Sequence, residues 1–193
     1  MEHILNYVDW CIECHRSTNH YYDKYLPYEF HLRMADHVGS QFDHLLDDNV
    51  DIQTGKTRAE LEHTRIGFVS LRMAVKKAIW GHDLIEDARV SFNDCCKKLG
   101  KDAAEIVYAV TNEKGKNREE RANDKYYAGI VAVPGAVFVK LCDRIANVQY
   151  GKMTGSSMFE KYKKENQNFI TKLGYSETHE LFPMFDYLNK LFV

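Results

Sequence analysis

"AIWGHDLIEDARVSFND", residues 78–94, runs an apolar segment up to Trp80 and Gly81 and then sets down His82, Asp83, Glu86 and Asp87. Taken as helix, it puts His82 and Glu86 on one ridge and Asp83 and Asp87 on the next, because residues four apart share a face. The flanks, "AVKKAIWG" and "ARVSF", hold the apolar residues of a packed element. Carboxylates left unpaired in such a place are costly to bury. A bound cation offsets that cost, and adjacent His and Asp can give one metal a nitrogen and an oxygen. A solvated acidic helix end is the plainer explanation of the same residues.

Two more stretches bear on the choice. In "AVFVKLCDRIANVQY", residues 136–150, an apolar run broken only by Lys140 leads to Asp143, Arg144 and Asn147. Asp143 and Asn147 are four apart and share a face; a core helix with a polar end would look the same. In "LPYEFHLRMADHV", residues 26–38, His31 stands among apolar and aromatic side chains. Such a histidine is either a satisfied core residue or a ligand.

Around these stretches the pattern is helical. Apolar residues recur at helical spacing and only three prolines interrupt 193 residues. The spacing predicts helices over 1–17, 28–46, 58–79, 118–131, 134–150, 156–173 and 176–192. Asn93 or Asp94 caps a short helix ending at Gly100, and Asp102 caps another. Pro134 fits a first helical turn, where its missing N–H costs nothing. No alternating strand, repeat or linker stands out. The fold class is all-α, one domain over 1–193, with the motif-bearing core at about 27–150.

Composition narrows the function. The chain is 45% hydrophobic and 28% charged with a net charge of −2, as in a globular protein rather than one with the basic face of a nucleic-acid binder. No apolar run reaches membrane-spanning length. The start, "MEHILNYVDWCIECHRS", lacks the basic and apolar regions of a signal peptide. Five irregularly spaced cysteines fit a reducing cytoplasm better than a disulfide framework. Cys11 and Cys14 form a CxxC without a second ligand pair, so they are expected to be half-buried helix cysteines rather than a zinc site.

The three stretches in order resemble the HD-domain metal-dependent phosphohydrolases, above all the hydrolase domain of the RelA/SpoT group and the stand-alone small alarmone hydrolases. The family pattern H…HD…ED…D becomes His31, His82–Asp83, Glu86–Asp87 and Asp143; "HDLIED" and "VKLCDRIAN" carry the likeness, with Pro27 and Tyr28 before His31. The resemblance implies an HD-type helical bundle. It implies that His31, His82, Asp83 and Asp143 ligate one divalent ion, usually manganese. Glu86 and Asp87 would orient or deprotonate the attacking water, and Asn147 would contact the nucleoside. Lys125 and Arg144 are further candidates for substrate contact, with Arg118 and Arg121 behind them; a solvated charge run explains most of the same residues. The substrate class is a small-molecule nucleotide, with a guanosine alarmone of the ppGpp type losing its 3′-pyrophosphate as the leading candidate. A 5′-nucleotidase or other nucleotide phosphohydrolase, or a nucleotide-sensing module without turnover, are the alternatives. The stretch before His31, "HYYDKYLPYEFH", departs from the family's basic, Lys, Ser, Gly pattern, so guanine selection is expected to be loose or different. The span from His31 to His82 is longer than usual, which leaves His37, His44 and His63 as other possible first ligands.

Overall fold

The computed structural model describes residues 2–47, 51–61, 69–113 and 115–193. Helix α1 (Glu2–Ser17) is followed by a small antiparallel hairpin, β1 (Tyr21–Tyr22) on β2 (Leu26–Pro27), with Tyr22 opposite Leu26. Then come α2 (Glu29–Gln41), a 3-10 turn at Asp43–Leu45, α3 (Arg58–Leu61), α4 (Leu71–Gly81), α5 (Leu84–Asp87), α6 (Phe92–Leu99) and α7 (Lys101–Val110). α8 (Arg118–Arg121), α9 (Asp124–Ala132), α10 (Ala136–Thr154), α11 (Ser157–Lys172) and α12 (Phe182–Lys190) complete the chain. This is an all-α bundle, as the helical spacing implies.

Short polar residues start several of these helices by accepting orphan backbone N–H groups. Ser70 accepts from Met73 at the start of α4, and Ser91 and Asp94 form a reciprocal capping box on α6. Asn117, Asn123 and Ser156 cap α8, α9 and α11. Asn123 is also why 118–131 is two helices: its cap geometry restarts the chain after Arg121. The hairpin strands are two residues each, too short to show alternation in sequence. Part of the predicted 58–79 helix, residues 62–68, lies outside the described residues.

α10 organises the core. Phe138, Val139, Leu141, Cys142, Ile145, Ala146 and Val148 are all buried, so the helix is apolar on nearly every side, as a central helix must be. It packs against α2, α4, α7, α9, α11 and α12. α2 and α4 also pack on each other, with Gly39 of α2 set close against Ile79 of α4. A Cβ at Gly39 would stand 2.6 Å from Ile79 Cδ1 and 3.6 Å from Cys142 Sγ. His31 is on α2, His82 and Asp83 follow α4, and Asp143 is on α10, so three mutually packed helices carry the candidate ligands.

α10 begins at Ala136 rather than at Pro134 because Gly135 takes a left-handed backbone, φ 81°, just before it. A Cβ there would also lie 2.5 Å from Val75 Cγ2, on a β-branched side chain with little rotamer freedom in α4. Gly135→Ala should therefore destabilise the fold by about 1–3 kcal/mol. Urea unfolding should show this as a lower midpoint at unchanged slope.

Candidate metal centre

α4 ends at Gly81, and the chain changes direction over two residues before α5. His82 keeps helical dihedrals, but Asp83 sits at φ −104°, ψ 3°, in the sparsely populated bridge region. The stretch 78–87 is thus two helices joined at the His–Asp doublet, not one. The break turns both side chains toward α2 and α10. His82 Nε2 lies 3.2 Å from His31 Nε2 and 2.8 Å from Asp83 Oδ2. Asp143 Oδ1 stands 3.4 Å from His31 Nε2 and 3.8 Å from His82 Nε2. His31 Nε2 to Asp83 Oδ2 is 3.8 Å. His31 and His82 are 1% and 2% exposed.

This donor set fits a divalent transition-metal ion. Two imidazole nitrogens and two carboxylate oxygens suit such an ion. Atoms bound about 2.1 Å from one ion stand roughly 3–3.5 Å apart; donor atoms of His31, His82 and Asp83 lie within 4.8 Å of one another, and Asp143 stands beside the two histidines. His82 Nδ1 donates to Ile79 O at 2.8 Å, which leaves Nε2 with its lone pair facing the cluster when neutral. Asp83 is held by the Tyr28 hydroxyl, which donates to its Oδ2. Asp143 accepts from Asn147 Nδ2 at Oδ1, 2.5 Å, and from Lys140 Nζ at Oδ2, 2.9 Å. His31 Nδ1 is buried without a hydrogen-bond partner among the described residues; the Tyr22 ring stacks on His31 instead, 4.9 Å between centroids. His37 and His44 are exposed and do not enter the cluster; His63 lies outside the described residues.

The electrostatics agree. Burial alone would raise Asp83 and Asp143, yet both are held below the usual carboxylate range, Asp83 chiefly by His82 and Asp143 by Lys140. Burial would lower His82, but Asp83 and Asp143 outweigh it and bring it to about 9. An ion must therefore displace a proton from His82 at neutral pH. Ion affinity should rise roughly tenfold per pH unit from about 6 to 8 and level off above about 9. Calorimetry in buffers of different ionisation enthalpy would count the proton released.

Glu86 and Asp87 go to different places. Both Glu86 oxygens accept from Asn112 Nδ2, at 2.9 and 2.8 Å, and Arg121 Nη1 is 3.5 Å away. Among the described residues Asp87 has no such clamp. Burial, then Asp83 and Glu86, raise it to about 7. Both line a cleft of about 1140 Å³ that also reaches Asp83, Asp143 and Asn147.

Across the cleft are cations. Arg144 Nη1 is 3.2 Å from Glu165 Oε2, and its guanidinium lies over the Tyr162 and Phe169 rings at 4.6 and 4.2 Å. Arg118 Nε is 3.2 Å from Glu165 Oε1. Lys161 and Lys164, one helical turn apart on α11, line the same wall. Lys125 is not brought there; its side chain is 80% exposed and paired with Glu113 Oε1 at 2.9 Å. Asn147 does line the cleft, with its amide committed to Asp143 and its oxygen accepting from the Tyr22 hydroxyl at 3.0 Å. Sequence reasoning missed Asn112, Glu165 and the α11 lysines, since each meets the site only through tertiary packing. Cys11 is buried, Cys14 half-buried, and all five cysteines are free.

No family model and no curated protein matches the chain. A solved structure does match, with a TM-score of 0.65 and 18% sequence identity over 96% of this chain and 93% of that one. It belongs to a metazoan ortholog of SpoT, described as hydrolyzing ppGpp and playing a role in starvation responses. The chain has the fold of that protein over almost its whole length. Among the described residues no helix is long and apolar enough to cross a membrane.

Proposed function

We propose that this protein is an HD-type, metal-dependent phosphohydrolase acting on a nucleotide, with a ppGpp-type alarmone losing its 3′-pyrophosphate as the leading substrate. The observation that carries the reading is the cluster of buried His31 and His82 with half-buried Asp83 and Asp143, opening into a cleft walled by cations. The net charge of the chain is −2, so cations gathered on one wall are a local feature, and arginines suit phosphate oxygens. The fold shared with a ppGpp hydrolase adds to this.

His31, His82, Asp83 and Asp143 would hold one divalent ion, for which we favour manganese. When bound, such an ion polarises a phosphoryl oxygen and lowers the pKa of water. The remaining work falls to the chain. Tyr28, Lys140 and Asn147 fix the two carboxylates. Asp87, raised to about 7, is matched to accept a proton from the attacking water near neutral pH. Glu86 keeps the Asn112–Thr111 turn and Arg121 in place beside it. Arg144 and Arg118 face the phosphate chain, and Asn147 borders the nucleoside. Lys125, exposed and paired with Glu113, is left out of the binding set. Five free thiols support a reducing compartment such as the cytoplasm for the reaction.

The test is release of phosphate and pyrophosphate from a panel of guanosine and adenosine nucleotides carrying 3′-, 5′- or both phosphate groups, with manganese and with chelator. Manganese-dependent release of pyrophosphate from a 3′-pyrophosphate is expected. Phosphate released from 5′-monophosphates alone would make the protein a 5′-nucleotidase; tight nucleotide binding without release would make it a sensing module.

A further inference from the structure

Two histidines that the mechanism does not use stand beside its proton acceptor. Helix α1 closes with the two hydrogen bonds of a Schellman turn, Asn19 N to Arg16 O and His20 N to His15 O, both 3.0 Å. Asn19 occupies the left-handed position of that turn, φ 54°, which asparagine tolerates better than most residues. The turn folds His20 back over His15, and their Nδ1 atoms are 2.9 Å apart. Both rings stack on Tyr28, at 4.3 and 4.0 Å between centroids. His20 Nε2 faces Asp87 Oδ2 at 3.9 Å.

A contact between two imidazole Nδ1 atoms needs a hydrogen on one of them. His15 is 1% exposed, its Nε2 has no partner among the described residues, and burial lowers its pKa to about 3. It is therefore neutral, with one N–H. On Nε2 that hydrogen would be a buried donor without an acceptor, the rarer and costlier defect. On Nδ1 it donates to His20 and leaves only an idle acceptor. His20 then accepts at Nδ1 and carries its own hydrogen on Nε2, toward Asp87.

We propose that His15 and His20 form a positioning pair for Asp87: buried His15 fixes the tautomer of His20, and the His20 Nε2–H orients the Asp87 carboxylate toward the attacking water. This rests on the assignment of Asp87 as proton acceptor. At 3.9 Å the two atoms are not yet hydrogen-bonded; catalytic contacts of this kind tighten in the substrate complex. A pair that only packs against Tyr28 would need its rings and not its N–H.

Two measurements separate these cases. In the wild-type protein, without metal or substrate, nitrogen-15 spectra of labelled histidines should show His15 as the Nδ1–H tautomer and His20 as the Nε2–H tautomer. The reverse assignment overturns the proposal whether or not the protein hydrolyses anything. In turnover assays, His20→Leu should lower kcat about tenfold or more with KM and metal content within about twofold. His20→Gln, which keeps an N–H at the ε position, should recover most of that loss. Wild-type kcat in His20→Leu, or a His20→Gln as slow as His20→Leu, sinks the idea. Absence of any nucleotide hydrolysis by wild type would remove the hydrolase reading while leaving the tautomer result to stand alone.

Discussion

Replacing His82 with alanine should abolish the binding of a divalent ion by the protein. His82 brings Nε2 within 3.2 Å of His31 Nε2 and 2.8 Å of Asp83 Oδ2, and its Nδ1 is fixed on Ile79 O. Loss of an outer partner of a ligand typically costs about 10–100-fold in affinity, so loss of the ligand should cost more. The side chain is buried, so the space left is lined by Asp83 and Asp143 with His31 as their one remaining imidazole among the candidate ligands. Those carboxylates then repel each other with less to offset them. Metal analysis after dialysis against manganese should find about one ion per wild-type chain and almost none in the variant. Full metal content in His82→Ala would mean that the ion lies elsewhere.

The second large effect separates the two acidic neighbours. Asp87→Asn should keep the ion and lower turnover by about 10²–10⁴-fold, since the amide keeps the shape and cannot take a proton. Glu86→Gln should also keep the ion but lose less. Its oxygens are engaged by Asn112 Nδ2 and Arg121, so its work is to hold that turn, and a glutamine keeps one of the two acceptors. Metal content and kcat measured side by side decide it. If Glu86→Gln is the slower of the two, the proton goes to Glu86 and Asp87 is the support.

The fold class and the clustering of His31, His82, Asp83 and Asp143 were legible in sequence for different reasons. Helical spacing is local, so long helices such as α1, α10 and α11 show up within a few residues of their ends. The candidate ligands stood out because a His–Asp doublet beside an apolar run raises a question of charge, and "VKLCDRIAN" offers a matching answer. What escaped was set by backbone breaks and by contacts distant in sequence. Nothing in "GHDLIED" shows that the helix stops at Gly81, and the ridge shared by His82 and Glu86 dissolves once it does. Asn112 lies 26 residues from Glu86, and Arg144 and Glu165 are 21 apart; no short pattern joins such pairs. Lys125 is the opposite case, a basic residue at a suitable place in the chain that the fold pairs with Glu113 at the surface. The same locality explains how the fold persists at 18% identity: generic apolar contacts hold α2, α4 and α10 together, and the loops between them are free to change.

The placing of the donors on three helices has a mechanical side. His31 and His82 are 51 residues apart, and Asp143 is further still along the chain. A single cation held by all of them would tie the bundle at three points, closing long loops much as a disulfide does and removing conformations from the unfolded chain. The tie differs from a disulfide in what undoes it. With five free thiols the protein has no covalent staple for a reductant to cut. Its one cross-link would be ionic, indifferent to redox potential and open to acid and to chelators, so metal supply would set how tightly the bundle is bound as well as how fast it turns over.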